Sequence, residues 1–166
     1  MEAIECLKTR RSTRSYRTDP VPREVIEDII DCGRLAATGN NVQPWRFVVV
    51  TDPAKRAEIA RIAEYGKFIK DAPVCVAVLC ENVKLYLEDG SNAMQNILLA
   101  AHAHGLGSCW VCADKKPYAP LLAKLIGAPD NFNLVALAAI GWAEKTSNAP
   151  KKPLSEVLDW EQFQMR

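Results

Sequence analysis

Arg34-Leu35-Ala36-Ala37-Thr38-Gly39-Asn40-Asn41-Val42-Gln43-Pro44-Trp45-Arg46-Phe47-Val48-Val49-Val50 reads as three pieces. An apolar helix ends near Ala36. A small, amide-rich loop follows from Thr38 to Gln43 and is closed by Pro44. Arg46 to Val50 then forms a buried strand. Helix ends and strand mouths are where small-molecule sites gather. Thr38, Asn40, Asn41 and Gln43 carry donors and acceptors on fairly short side chains, a set able to read the edge of a planar heterocycle. A plainer account makes Gly39 and Asn40 left-handed helix-cap residues. It leaves Gln43, before Pro44-Trp45, without a reason.

Outward from this stretch, the 166 residues suffice for one domain, taken as residues 1–166, with a substantial core. Hydrophobic residues make up 49% and charged residues 25%, as in an ordinary globular protein. A net charge of +1 gives no field to gather nucleic acid or an anionic membrane, so any anion site is built locally. No apolar run approaches a bilayer span. Met1-Glu2-Ala3-Ile4-Glu5 lacks the features of a signal peptide, so the expected location is cytoplasmic and the six cysteines are expected to be reduced.

Met1 to Lys8 is expected to form a short amphipathic helix. In the basic run that follows, Thr9 to Arg17, an extended backbone places Arg10, Ser12 and Arg14 on one face, and arginine forks beside a hydroxyl suit a phosphate monoester. Pro22 opens a helix with the stripe Val25, Ile26, Ile29, Ile30 and Leu35. Asp52-Pro53 is an N-cap and first turn for a helix to about Glu64. Tyr65 to Ala72 is a loop from which Lys67 or Lys70 could reach a ligand. Val74 to Cys80 is a continuous apolar strand covered on both faces. The most apolar helix starts at Asp89-Gly90-Ser91 and runs to about His104. It is apolar almost all round, for which a partner subunit is the simplest cover. Ser108 to Val111 and Leu134 to Ile140 are strands, and Tyr118 to Ile126 is a helix. Thr146 to Pro153 is a polar arm long enough to cross onto a partner, and Leu154 to Phe163 a short amphipathic piece.

Several familiar chemistries are missing. Gly105-Leu106-Gly107 begins like a dinucleotide fingerprint, but Trp110 stands in the third glycine's place and the helix precedes rather than follows. There is no Walker loop and no nucleophile elbow. Cys109 and Cys112 have redox or zinc spacing, yet three apart on a strand they face opposite ways, and no second pair completes a tetrahedral site. Both are expected to be small buried thiols. His102 and His104 diverge by about 200° on a helix and are no metal pair. No metal is expected, and an enzyme built on this chain takes its chemistry from a cofactor.

Taken together, Arg10-Arg11-Ser12-Thr13-Arg14, Asn41-Val42-Gln43-Pro44-Trp45, Asp71-Ala72-Pro73, Gln95-Asn96-Ile97-Leu98-Leu99-Ala100-Ala101, Gly105-Leu106-Gly107-Ser108-Cys109-Trp110, Ile140-Gly141-Trp142 and Lys151-Lys152-Pro153-Leu154 resemble the nitroreductase family of FMN-dependent oxidoreductases, in the family's order and over nearly the whole chain. The resemblance implies an α+β fold, a mostly antiparallel central sheet flanked by helices, in an intertwined homodimer with two FMN molecules at the subunit interface. It assigns the FMN phosphate and ribityl chain to Arg10, Arg11 and Ser12, with Lys151 or Lys152. It places Arg14 at the pyrimidine edge of the flavin. The loop Thr38, Gly39, Asn40 and Asn41 comes from the other subunit, with Gln43 nearby. Backbone amides of Val111, Cys112 and Ala113 lie near N5 and O4.

Three departures stand out. Ala37-Thr38 replaces a frequent Pro-Ser pair, Cys112 replaces a Gly or acidic residue, and Lys151-Lys152 replaces an Arg with its bidentate geometry. The segment Asn82 to Asp89 is short where longer members carry extra helices, which implies an open flavin face. The implied activity is ping-pong hydride transfer from NADH or NADPH to a small acceptor such as a nitroaromatic or quinone. The alternatives are a dehalogenating or ring-fragmenting branch, an FMN-holding module without nicotinamide turnover, and a thiol or zinc protein built on Cys109 and Cys112. Nucleic acid and membrane are not expected partners.

Overall fold

The computed structural model describes residues 1–165. Val74–Glu81 (β3) lies inside the sheet because it has no polar face to offer water: every side chain from Val74 to Cys80 is buried. Trp45–Val50 (β2) pairs with it on one side and Phe132–Gly141 (β5) on the other. Gly107–Cys112 (β4) pairs with β5. The four strands run in the order β2-β3-β5-β4, all antiparallel. Thr13–Tyr16 (β1) and Ala143–Thr146 (β6) form a separate antiparallel ribbon. A parallel bridge from Ser12 to Ser108 ties that ribbon to β4.

Each face of the sheet has its own core. Arg23–Arg34 (α2) and Tyr86–Ala103 (α4) cover one, where Ile29, Met94 and Ile97 meet Val76 and Val78. Pro53–Ile62 (α3) and Ala119–Leu125 (α5) cover the other, where Ile59, Ile69 and Leu122 meet Cys75, Leu79 and Leu137. The short helix Ala3–Thr9 (α1) lies on α4, with the Cys6 thiol on the Leu99 carbonyl at 3.3 Å. An apolar groove of about 340 Å³ opens beside it, lined by Met1, Cys6, Leu7, Cys32, Leu99 and Ala103 among others. Asp52 caps α3 as expected, accepting from the Lys55 N–H at 2.7 Å.

Local differences from the sequence-based expectations have physical causes. Helix α2 stops at Arg34, so Gly39 and Asn40 cap nothing. They belong to a 3-10 turn, Gly39–Asn41, in which Asn40 (φ 51°) is left-handed, followed by Asn41 (φ 55°) and Gln43 (φ 52°), while Gly39 is not. Lys67 closes α3 instead of reaching out: its Nζ donates to the carbonyls of Ala60 and Arg61 at 3.1 and 2.9 Å. Helix α4 begins a turn early, at Tyr86, and its own chain buries Ala93, Met94, Ile97, Leu98, Ala100 and Ala101, so a partner is not needed to cover most of it. Asn92, Gln95 and Ala103 stay exposed. Cys112 is exposed rather than buried, because β4 turns it away from Cys109. Strand β6 was not expected; the tail after it holds one 3-10 turn, Leu154–Glu156, with Leu154, Val157, Trp160, Phe163 and Met165 exposed. No helix among the described residues is long and apolar enough to cross a membrane.

Candidate active site

Of the expected residues, the open edge of β4 gathers Arg10, Ser12, Arg14 and Cys112. Helix α1 ends at Arg10, where the backbone turns extended (φ −55°, ψ 129°) and its N–H still bonds the Cys6 carbonyl. Thr9 fixes this corner by a 2.8 Å bond between its hydroxyl and the His102 ring. The His102 pKa is lowered by burial first and then by Arg10, with Arg11 adding to it against Glu5. Ser12 bridges to Ser108 on β4. Burial pushes the neighbouring Cys109 thiol up, while Arg14, the Ser12 hydroxyl and Arg10 pull it back. Arg10, Ser12 and Arg14 therefore all lie toward Cys109, the common side that alternation along an extended chain gives them.

Arg11 behaves differently. Its Nη1 folds back to the carbonyls of Lys8 and Arg10, both at 2.9 Å, and closes the end of α1. Its buried Nε has no partner, nor has the buried Ser108 hydroxyl. The Arg10 guanidinium has no hydrogen-bond or ion-pair partner among the described residues, and that of Arg14 faces the Phe68 ring, 5.9 Å away. Phe68 sits in the 3-10 turn Lys67–Lys70. Arg56, 9% exposed, holds the end of that turn by donating to the carbonyls of Lys70, at 3.0 Å, and Ala72.

Backbone amides complete the edge. The Ala113 N–H bonds inward to the Val135 carbonyl at 3.3 Å, so it is already committed. Antiparallel pairing alternates, which turns the Cys112 N–H to the open side. Tyr118 steadies the position, donating to the Cys112 carbonyl at 3.1 Å. Tyr86 donates to Asp114 at 2.7 Å, and that bond, with burial, pushes its phenol up to about 12.

The amide-rich loop lies elsewhere. Thr38 accepts from the Gln43 N–H at 3.1 Å, and Gln43 Nε2 donates to Asn41 Oδ1 at 3.0 Å. The Gly39 N–H donates to Asp89 at 2.9 Å. This puts the loop before β2, at the opposite edge of the sheet from β4. Three strand spacings separate those edges, about 14 Å. Lys151 and Lys152 are exposed, on the arm that follows β6. Sequence reasoning missed Phe68, Arg56 and Asp89. Phe68 was discoverable as the one aromatic inside a lysine-bracketed loop; the other two looked like ordinary helix-surface charges.

What the β4 edge offers is a line of donors: two unpaired guanidinium groups, a hydroxyl between them and a free N–H at the strand end. That set matches an elongated ligand with an anionic end and a flat, polar ring. Among the described residues no cluster of three or more His, Cys, Asp or Glu could hold a metal ion.

A family model described as "Nitroreductase family" matches residues 7–81 and 63–142. A protein of Methanothermobacter thermautotrophicus, provisionally named NADH dehydrogenase/NAD(P)H nitroreductase, is 39% identical over 115 residues. That match covers 66% of this chain and only 60% of the relative. The structure of an FMN-dependent nitroreductase from Clostridium difficile superposes with a TM-score of 0.91 at 26% identity, covering 96% of this chain and 99% of that one. Iodotyrosine deiodinase 1 of Rattus norvegicus is 27% identical over 196 aligned positions, covering 95% of this chain and 68% of the deiodinase.

Proposed function

The chain belongs to the nitroreductase family and is an FMN-dependent oxidoreductase, and from this premise we propose that it passes reducing equivalents from NADH or NADPH to a small acceptor such as a nitroaromatic or a quinone, in ping-pong order. The observation that carries this reading is the line of donors along one strand edge: the Arg10 and Arg14 guanidinium groups, which have no hydrogen-bond or ion-pair partner among the described residues, the Ser12 hydroxyl between them and the Cys112 N–H. Bound there, FMN would supply the two-electron redox chemistry, and these residues would hold and orient it.

The residues divide the work. Arg10 and Ser12 hold the phosphate and ribityl chain, and Arg11 supports them by fixing the end of α1. Arg14 sets a positive charge at the pyrimidine edge, where charge grows on reduction. The Cys112 N–H fixes the orientation of the ring. Protons come from water, so no side chain need serve as an obligatory acid. Thr38, Gly39, Asn40, Asn41 and Gln43 lie across the sheet from this edge, so one chain does not bring both groups onto one ring. A second copy supplies the loop, and Lys151 or Lys152 of its arm reaches the phosphate. The exposed apolar tail and the groove beside α1 are the surfaces such a homodimer buries.

A second reading, reductive dehalogenation, draws on the deiodinase likeness. That alignment runs over 196 positions against a chain of 166 residues, so the deiodinase carries segments this chain lacks. Only residues 82–85 join β3 to α4, leaving no lid there. The test is an anaerobic visible spectrum of gently purified protein, before and after NADH or NADPH. Flavin bands that bleach and recover with a nitroaromatic support the proposal. Bands that resist both nucleotides but bleach with dithionite and recover with an iodophenol support dehalogenation.

A further inference from the structure

Asp89 lies one turn into α4, is 3% exposed and has no ion-pair partner among the described residues. A buried carboxylate is costly to keep, even near a helix N-terminus that favours it. Its oxygen accepts the Gly39 N–H at 2.9 Å. Two more side chains on α4 do similar work. Asn92 donates to the Ala37 carbonyl at 3.2 Å, and Asn96 to the Cys32 carbonyl at 3.0 Å. Positions 89, 92 and 96 share one helix face. The most apolar helix of the chain thus carries a polar stripe that grips the backbone at three points, one in the last turns of α2 and two between α2 and β2.

Asp89 is the member that touches the loop itself. Immediately after Gly39 the chain runs through Asn40, Asn41 and Gln43 with positive φ, a conformation that asparagine tolerates but that a run including Gln43 holds only with help from its surroundings. The Gly39 bond pins the start of that run, and the Gln43 N–H to Thr38 pins its end. Gly39 also lies so near Leu85 that a Cβ there would come within 2.5 Å of Leu85 Cδ1. The loop is therefore shaped against the first turns of α4 before any ligand arrives.

We propose that Asp89 is a positioning residue of the active site: by holding Gly39 it fixes the Thr38–Gln43 loop in the shape that covers the flavin of a second copy. This rests on the FMN site proposed above.

The test compares Asp89→Leu with Asp89→Asn, which keeps an acceptor oxygen in place. In the apoprotein, Asp89→Leu should speed hydrogen exchange at the Gly39 amide, and it should weaken FMN binding by about tenfold or more, as expected for losing a bond to a charged acceptor. Asp89→Asn should restore both to near the wild-type level. A mixed dimer of Asp89→Leu with Arg10→Ala adds the geometry. If the loop serves the other copy, one of its two sites is intact and half the flavin binds at wild-type affinity. Wild-type affinity in Asp89→Leu, equal damage in Leu and Asn variants, or a mixed dimer without a tight site would each overturn the proposal. An Arg10→Ala homodimer that binds FMN fully would instead fault the phosphate assignment, and the Leu and Asn comparison would still decide the role of Asp89.

Discussion

The guanidinium of Arg14 stands 5.9 Å from the centre of the Phe68 ring. That ring is an aromatic contact of the arginine, whose guanidinium has no hydrogen-bond or ion-pair partner among the described residues, so it helps fix where the charge is held. Replacing Arg14 by Met removes a cation from beside the reduced flavin. Its two-electron midpoint potential should fall by about 20–40 mV, corresponding to roughly 1–2 kcal/mol. Phe68→Leu keeps the charge and loosens its seat, so its shift should be smaller, in line with about 0.5–1 kcal/mol for an exposed cation–π contact. A reductive titration against a reference dye measures both.

The two arginines that open the basic run should separate cleanly. The Arg10 guanidinium has no hydrogen-bond or ion-pair partner among the described residues, whereas that of Arg11 is spent on the carbonyls of Lys8 and Arg10. Arg10→Ala should raise the dissociation constant for FMN by about 10–100-fold, the worth of a charged hydrogen bond, with little change in apoprotein melting. Arg11→Ala should lower stability by about 1 kcal/mol and weaken FMN less. Fluorescence titration with FMN, alongside thermal melts, checks the contrast.

Alkaline pH should unfold the protein through its buried thiols. Burial pushes Cys75 up to about 12, against a smaller pull from Arg56, and burial with Asp89 does the same for Cys80. In the unfolded chain these thiols ionise near the ordinary value of 9.0. Their neutral forms therefore stabilise the fold fully below about pH 9, and that contribution is lost as the pH rises toward 12, by about 1.4 kcal/mol per pH unit for each thiol. Tyr16, whose phenol is raised by burial, adds to the loss from about pH 10. Urea unfolding between pH 7 and 10.5, with reductant, should show a plateau and then a decline, and Cys75→Ala should make the decline shallower.

Gly107 admits β1 to the edge of β4. A Cβ on Gly107 would come within 2.6 Å of Thr13 Oγ1 and 2.7 Å of Thr13 Cβ, and Thr13 is 1% exposed. Gly107→Ala should cost about 1–3 kcal/mol by overpacking and weaken FMN through displacement of Ser12. Gly105 (φ +77°) has open space around it. Gly105→Ala should cost about 1 kcal/mol in backbone strain and leave FMN binding unchanged. Melting and titration of the two variants side by side test this.

The parts of this architecture governed by local rules could be read from the chain. Val74 to Cys80 announced a central strand because an unbroken apolar run fits only a position covered on both faces. Asp52-Pro53 announced a helix start, and Arg10, Ser12 and Arg14 shared a face through the two-residue period of an extended chain. What escaped depends on distant partners. Strand β6 has no apolar alternation and exists because β1 pairs with it. Arg11 carries the same charge as Arg10, and only the path of the chain after α1 turns it inward. Asp89 looked like an ordinary acidic residue at a helix start; its burial comes from Gly39, fifty residues away in sequence.

The amide-rich loop and the β4 edge lie at opposite margins of one sheet, and this has a thermodynamic consequence. If each flavin is enclosed by both copies, cofactor and subunit become ligands of one another. Flavin then tightens the dimer by the same factor by which dimerisation tightens flavin, since linkage is reciprocal. Dilution would release cofactor, and cofactor starvation would release subunits, so the supply of free FMN would set how much of the chain is assembled.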